Sequence, residues 1–158
     1  MIIQTFKLNR KIFYGVVLAI LLIALILIFI PKNDITAMSD TGISFKNIRT
    51  NEDRRELLKK FGWEVSEQEI SVNDVVLPDE FDEIYDSYNQ LQLPLGLDLK
   101  DFAGKTVKLY TYTVSNHPKI TDKTVYANLL ISEDKVIGGD ISQAEVGGIM
   151  EGLDSFSE

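Results

Sequence analysis

The chain contains a single histidine, His117, and no cysteine. Those two counts remove thiolate nucleophiles, disulfides, zinc–thiolate sites and every metal site that needs two histidines. A Ser-His-Asp triad would have to use His117. The pattern Asn116-His117-Pro118 places it in a loop with no Gly-x-Ser-x-Gly elbow nearby, so it reads as a solvated loop residue rather than a general base. Carboxylates are abundant, with 24 Asp and Glu, but the densest run, Asp79 to Asp86, alternates with apolar residues at helical spacing. Carboxylates on the wet face of such a helix lack the burial or close partner that tunes a catalytic acid. No Asp-x-Asp-x-Asp-Gly series offers a calcium loop, and Gly138-Gly139-Asp140 lacks the spacing of a phosphate loop. No catalytic residue, metal ligand or cofactor is expected. The remaining binding candidates are Tyr110 and Tyr112, which share one face of a strand and can stack a sugar or a peptide, together with His117, Asn128 and Asp140. For the two tyrosines, packing against a helix is the default reading.

The elements that would carry these residues follow from periodicity and turn chemistry. A helix starts at Thr50 or Asn51, with Glu52 and Asp53 in the first turn, Lys59 and Lys60 in the last, and Gly62 to stop it. Leu57, Leu58 and Phe61 form its apolar face, with Arg54, Arg55 and Glu56 outward; Trp63, just beyond, reads as a core plug. Alternation from Glu64 to Leu77 predicts a strand, closed by Pro78, which can sit in the first turn of a second helix. In that helix Phe81, Ile84, Tyr85, Tyr88 and Leu91 make one apolar stripe, and Leu93-Pro94 closes it. Asp98 caps a single helical turn from Leu99 to Phe102.

Thr106 to Ser115, Thr124 to Ser132 and Lys135 to Ser142 read as an antiparallel meander, with a longer 116–123 connection and a tight hairpin at Ser132-Glu133-Asp134-Lys135. Gly138-Gly139 implies a bulge or a close backbone approach, and Gly147, Gly148 and Gly152 loosen the C-terminal tail. The fold class is therefore α+β: a four-stranded, mainly antiparallel sheet with two helices on one face and its strand order open, preceded by one N-terminal transmembrane helix.

That last element rests on Ile12 to Ile30, an unbroken apolar run closed by Pro31. At about 1.5 Å per residue it reaches about 28 Å, close to the hydrocarbon thickness of a bilayer. It is too long for a signal-peptide core and has no small-x-small cleavage site near its end, so it reads as an uncleaved anchor in contact with membrane lipid. Lys7, Arg10 and Lys11 precede it, which orients residues 1–11 as a cytoplasmic tail and sends residues 48–158 outside, behind a linker at 31–47. All 24 acids and 13 of the 16 Lys and Arg lie beyond Pro31, a net of −11. Such a surface argues against nucleic acid as a partner.

Phe61-Gly62-Trp63-Glu64-Val65, Pro78-x-x-Phe81, Tyr85-x-x-Tyr88-Asn89, Gly104-Lys105-Thr106-Val107, Tyr110-x-Tyr112-x-Val114, Ala127-Asn128-Leu129-Leu130 and Val136-Ile137-Gly138-Gly139-Asp140 occur in that order. The chain thereby resembles a family of small single-pass proteins from Gram-positive, clostridia-like bacteria, catalogued as a domain of unknown function. The resemblance spans roughly residues 48 to 153 and implies an anchored extracytoplasmic domain to which no catalytic residue can be carried over. It also leads one to expect a Gly before Lys135, where this chain has Asp134, a residue that tolerates the positive φ of a turn. The leading functional expectation is a binding or scaffolding module that meets a protein partner at the outer membrane face, by strand addition at a sheet edge or through the 116–123 loop. A cell-envelope hydrolase using carboxylates and His117, and an extracytoplasmic ligand sensor, are the alternatives.

Overall fold

The computed structural model describes residues 42–145 and 147–157. The apolar run at 12–30, the basic residues before it and most of the linker lie outside the described residues; among those described, no helix is long and apolar enough to cross a membrane. The order of elements is α1 (Asn51–Lys60), β1 (Ser71–Val76), α2 (Glu83–Gln90), two 3-10 turns (Leu93–Leu95 and Leu99–Phe102), β2 (Thr106–Val114), β3 (Val125–Ser132), β4 (Lys135–Gln143), β5 (Met150–Glu151) and a last 3-10 turn (Ser155–Ser157). The strands form one antiparallel sheet in the order β1-β2-β3-β4-β5.

The sheet has five strands where the sequence predicts four. The fifth is two residues long, too short to carry a period, and is set among glycines; it pairs with Ile141 and Ser142. Strand β1 occupies the opposite edge, so the helix between β1 and β2 does not displace it into the centre.

α1 begins as its residue types dictate. The Thr50 hydroxyl accepts from the Asp53 N–H, and the Asp53 carboxylate accepts from the Thr50 and Arg49 N–H groups, closing a capping box. The backbone N–H bonds from Thr50 and then Arg49 hold the Asp53 carboxyl below its ordinary value. α2 is shorter than the stripe implies. Asp82 caps it by accepting from the Ile84 and Tyr85 N–H groups, so Pro78 and Asp79 lie before the helix and not in its first turn. Ile84, read as part of the buried stripe, is 76% exposed.

The two helices cover opposite faces of the sheet, not one. Leu57, Leu58 and Trp63 pack with Tyr112, Val114, Ala127, Leu129 and Ile141, whereas Phe81 and Tyr88 pack with Leu77, Leu99, Val107, Leu130 and Ile137. Leu129 and Leu130 are neighbours on one strand and must point to opposite sides. A bulge makes this two-sided packing continuous: Leu130 pairs with Gly138 but Ile131 pairs with Val136, which leaves Ile137 as the extra residue and sends it into the α2-side cluster.

The packing also reaches into the segment read as linker. Phe45 in that segment and Ile48 just beyond it are buried, and the strap they occupy is bonded to β4 and its hairpin through Val136 N–H to Phe45 O and Ile48 N–H to Asp134 O. The hairpin itself places Glu133 and Asp134 at positive φ, as anticipated for Asp134.

The glycine pair is where the chain comes closest to itself. A Cβ on Gly139 would lie 2.6 Å from the Asn128 carbonyl oxygen and 2.8 Å from a Leu153 methyl, and one on Gly138 would lie 3.0 Å from Leu99. The space serves Gln92, which is fully buried and accepts the Gly139 N–H at 2.8 Å, satisfying a β4 edge group that no strand reaches. Replacing Gly139 by Ala should destabilise the full chain by about 1–3 kcal/mol through overpacking. Urea unfolding, with the transition midpoint lowered and its slope unchanged, measures it.

Candidate functional site

On the α2 face of the sheet, cross-strand neighbours of β2, β3 and β4 build one polar chain. Thr111 donates to Asn128 Oδ1 at 2.9 Å, and Asn128 Nδ2 donates to Asp140 Oδ1 at 2.9 Å and to Ser142 Oγ at 3.1 Å. From the helix above, the Tyr88 hydroxyl donates to Asp140 Oδ2 at 2.9 Å. The register explains the assembly: Thr111 pairs with Asn128 and Asn128 with Asp140, so three short polar side chains lie in a row across the strands. Asn128 and Asp140 were both candidates from the sequence, and the fold does bring them together. Tyr88, which joins them, was read only as a member of an apolar stripe; its hydroxyl is the signal that could have marked it.

Asp140 is 4% exposed. Burial pushes its carboxyl above the ordinary carboxylate range, against the opposing pull of bonds from Asn128, Tyr88 and Ser142. Burial, then the Asp140 charge and the bond to it, push the Tyr88 phenol well above its usual value. Both carboxylate oxygens accept from donors within the fold, so the group as placed links α2 to the sheet.

The other candidates fall elsewhere. Tyr110 and Tyr112 lie on the opposite face, beneath α1. Tyr112 is buried, as the packing reading has it; it donates to Asn51 Oδ1 and accepts from Arg54 Nε, both at 2.8 Å. Arg54, expected to point outward, is itself buried and stacks its guanidinium 3.9 Å from the Tyr110 ring centre, with Glu69 3.6 Å away. Two aromatic acceptors and a carboxylate replace the water that the cation gives up.

His117 is likewise not a solvated bystander. It is 6% exposed and stacks on Trp63 with ring centres 5.7 Å apart. Its Nδ1 accepts the N–H groups of Lys119 and Ile120, which places the remaining ring hydrogen on Nε2, 3.9 Å from Glu151 Oε2. Its geometry is that of a loop brace.

The remaining open feature is the outer edge of β1. Leu77 N–H bonds to Lys105 O, and Val76 pairs with Thr106, so the groups of β1 that face β2 belong to Ser71, Asn73, Val75 and Leu77. The N–H and C=O groups of Val72, Asp74 and Val76 therefore point away from the sheet, and among the described residues nothing is bonded to them. The side chains of Val72 and Val76 are 43% and 63% exposed, and between them Asp74 is held by Lys108 at 2.8 Å.

What these observations define is a small α+β domain with one capped sheet edge, one open edge and an internal polar tie. Residues 57–141 match the family described as a domain of unknown function (DUF4830), and the chain belongs to that family. No curated protein and no solved structure matches it.

The buried carboxylate gives a pH signature. Because its pKa is raised in the folded state, the fold gains most below the ordinary value of 3.8 and loses that contribution as pH rises through the higher folded value. Asp140→Asn should flatten this dependence in thermal melts taken at pH values rising from the ordinary value of 3.8, since an amide oxygen can still accept from Tyr88. Asp140→Leu should cost about 1–3 kcal/mol for each donor left without a partner, on Tyr88 and Asn128.

Proposed function

We propose that the chain is a membrane-tethered binding module whose outward-facing domain meets a protein partner along the free edge of β1. The observation that carries this reading is the coincidence at Val72, Asp74 and Val76 of unbonded backbone groups with exposed apolar side chains. Strand addition uses both, drawing affinity from main-chain bonds and selectivity from alternate side chains. An open edge on a free monomer is a liability that folds ordinarily blunt; this fold covers its other edge with Gln92 and β5 and leaves β1 uncovered, with the charge of Asp74 in its middle. The apolar run at 12–30 supports a tether, the basic residues before it support an N-in orientation, and the −11 balance beyond Pro31 is compatible with a solvated surface outside the cell. The 116–123 loop is the weaker handle, since His117 faces inward.

The absence of native cysteine makes the topology simple to test. A Glu56→Cys variant, on the exposed side of α1, should react with a membrane-impermeant maleimide in intact cells to the same extent as in lysed ones; labelling only after lysis overturns the outward placement. For the binding role, a photo-crosslinking residue at position 76 should give a discrete adduct in native membranes that is absent with the same residue at position 60. Adducts at both positions, or at neither, overturn it.

A further inference from the structure

We infer that the β1 edge selects an extended segment of another protein that carries Lys or Arg with an apolar residue two positions to either side, and that it rejects a second copy of this chain. The inference rests on the binding-module reading and adds to it the chemistry of the occupant.

The free backbone groups belong to Val72, Asp74 and Val76, and these residues alternate to one face of the sheet, the face that carries Lys108 and Tyr110. An added antiparallel strand would form its close hydrogen-bonded pairs with these three residues, and its own side chains opposite them would lie on that same face. Two of the positions are valine and take an apolar neighbour. The middle one is a carboxylate whose Oδ1 is held by Lys108, while Oδ2 has no bond among the described residues and the side chain is 65% exposed. A Lys or Arg directly opposite Asp74 would meet that oxygen, whereas an acid there would be opposed by it.

The same geometry disfavours self-pairing. A two-fold axis perpendicular to the sheet that buries both valines must pair Val72 with Val76 of the second copy, and this sets Asp74 opposite Asp74. Moving the register by two residues in one direction sets each Asp74 against Val72 and leaves Val76 opposite Ile70 of the second copy. The register that buries both valines therefore opposes like charges, and the two registers next to it each leave a carboxylate facing a valine. The overall charge points the same way, since two copies would bring together surfaces of net −11. The arrangement of two valines around an acid thus serves both selection of a basic strand and avoidance of its own kind.

The test uses the full chain, isotope-labelled and held in a lipid nanodisc, titrated with three synthetic peptides, Thr-Val-Thr-Lys-Thr-Val-Thr and its Gln- and Glu-centred counterparts. Amide resonances of Val72, Asp74 and Val76 should shift with the Lys-centred peptide. Binding should weaken through Gln to Glu by about fivefold or more overall. Val72→Pro removes an outward N–H without touching the β1–β2 ladder, and should abolish the shifts while the melting temperature holds. Should that variant fold poorly, Asp74→Lys supplies the second arm and should reverse the preference toward the Glu-centred peptide. Equal binding of the Lys and Glu peptides, shifts confined to other residues, or edge shifts that depend on protein concentration without peptide would each overturn the inference. A position-76 adduct in native membranes alongside peptides indifferent to Asp74 would sink this inference and leave the binding module standing. The expected peptide order with no native adduct would sink the binding module and leave the edge chemistry standing.

Discussion

The fold depends on a place where side chains are missing. At Gly138-Gly139 the third and fourth strands, the segment after α2 and the C-terminal segment all converge within contact distance, and no Cβ on Gly139 would fit between the Asn128 carbonyl and Leu153. Because that space is open, the amide of Gln92 reaches the β4 backbone and closes an edge that the two-residue β5 is too short to cover. Because Gln92 is there, Leu95 and Leu97 turn inward and join the core on the α1 side, although α2 itself lies on the other face. One pair of glycines thus lets a single connection wrap the sheet and join its two clusters.

The two ends of the sheet are treated differently, and the difference is chemical as well as geometric. The β4 end is capped with an amide, a short strand and the Trp63 indole, whose Nε1–H bonds to Leu153 O at 2.6 Å and keeps the C-terminal segment in place. The β1 end carries only charge, in the form of Asp74 with its Lys108 partner. A charged residue in an edge strand is a common way to discourage uncontrolled pairing while leaving the backbone accessible. The edge is guarded without being covered.

How much of this was legible in the sequence follows from how local each feature is. The capping box at Thr50 and the meander of β2, β3 and β4 are fixed by residues a few positions apart, and their places could be read directly. Asn128 and Asp140 were legible as candidates because each is a polar residue in an apolar strand, and the register then joined them. The features that were misread are those decided at long range. His117 is buried by Trp63, which is distant in sequence, and Arg54 by two tyrosines and Glu69 on other segments; β5 exists because the C-terminal segment is anchored to the indole rather than because Met150 and Glu151 favour a strand. Gly138-Gly139 did mark the bulge and the close approach, but nothing in the letters around them told which face of the sheet α2 would cover.

The strap at Phe45 to Ile48 has a mechanical side. Its two backbone bonds, 2.9 Å to Val136 and 2.8 Å to Asp134, fasten the start of the described domain to the outer edge of β4 beside the β3–β4 turn. A pull arriving along the chain from the N-terminal side would load that strap and the buried Phe45 ring first.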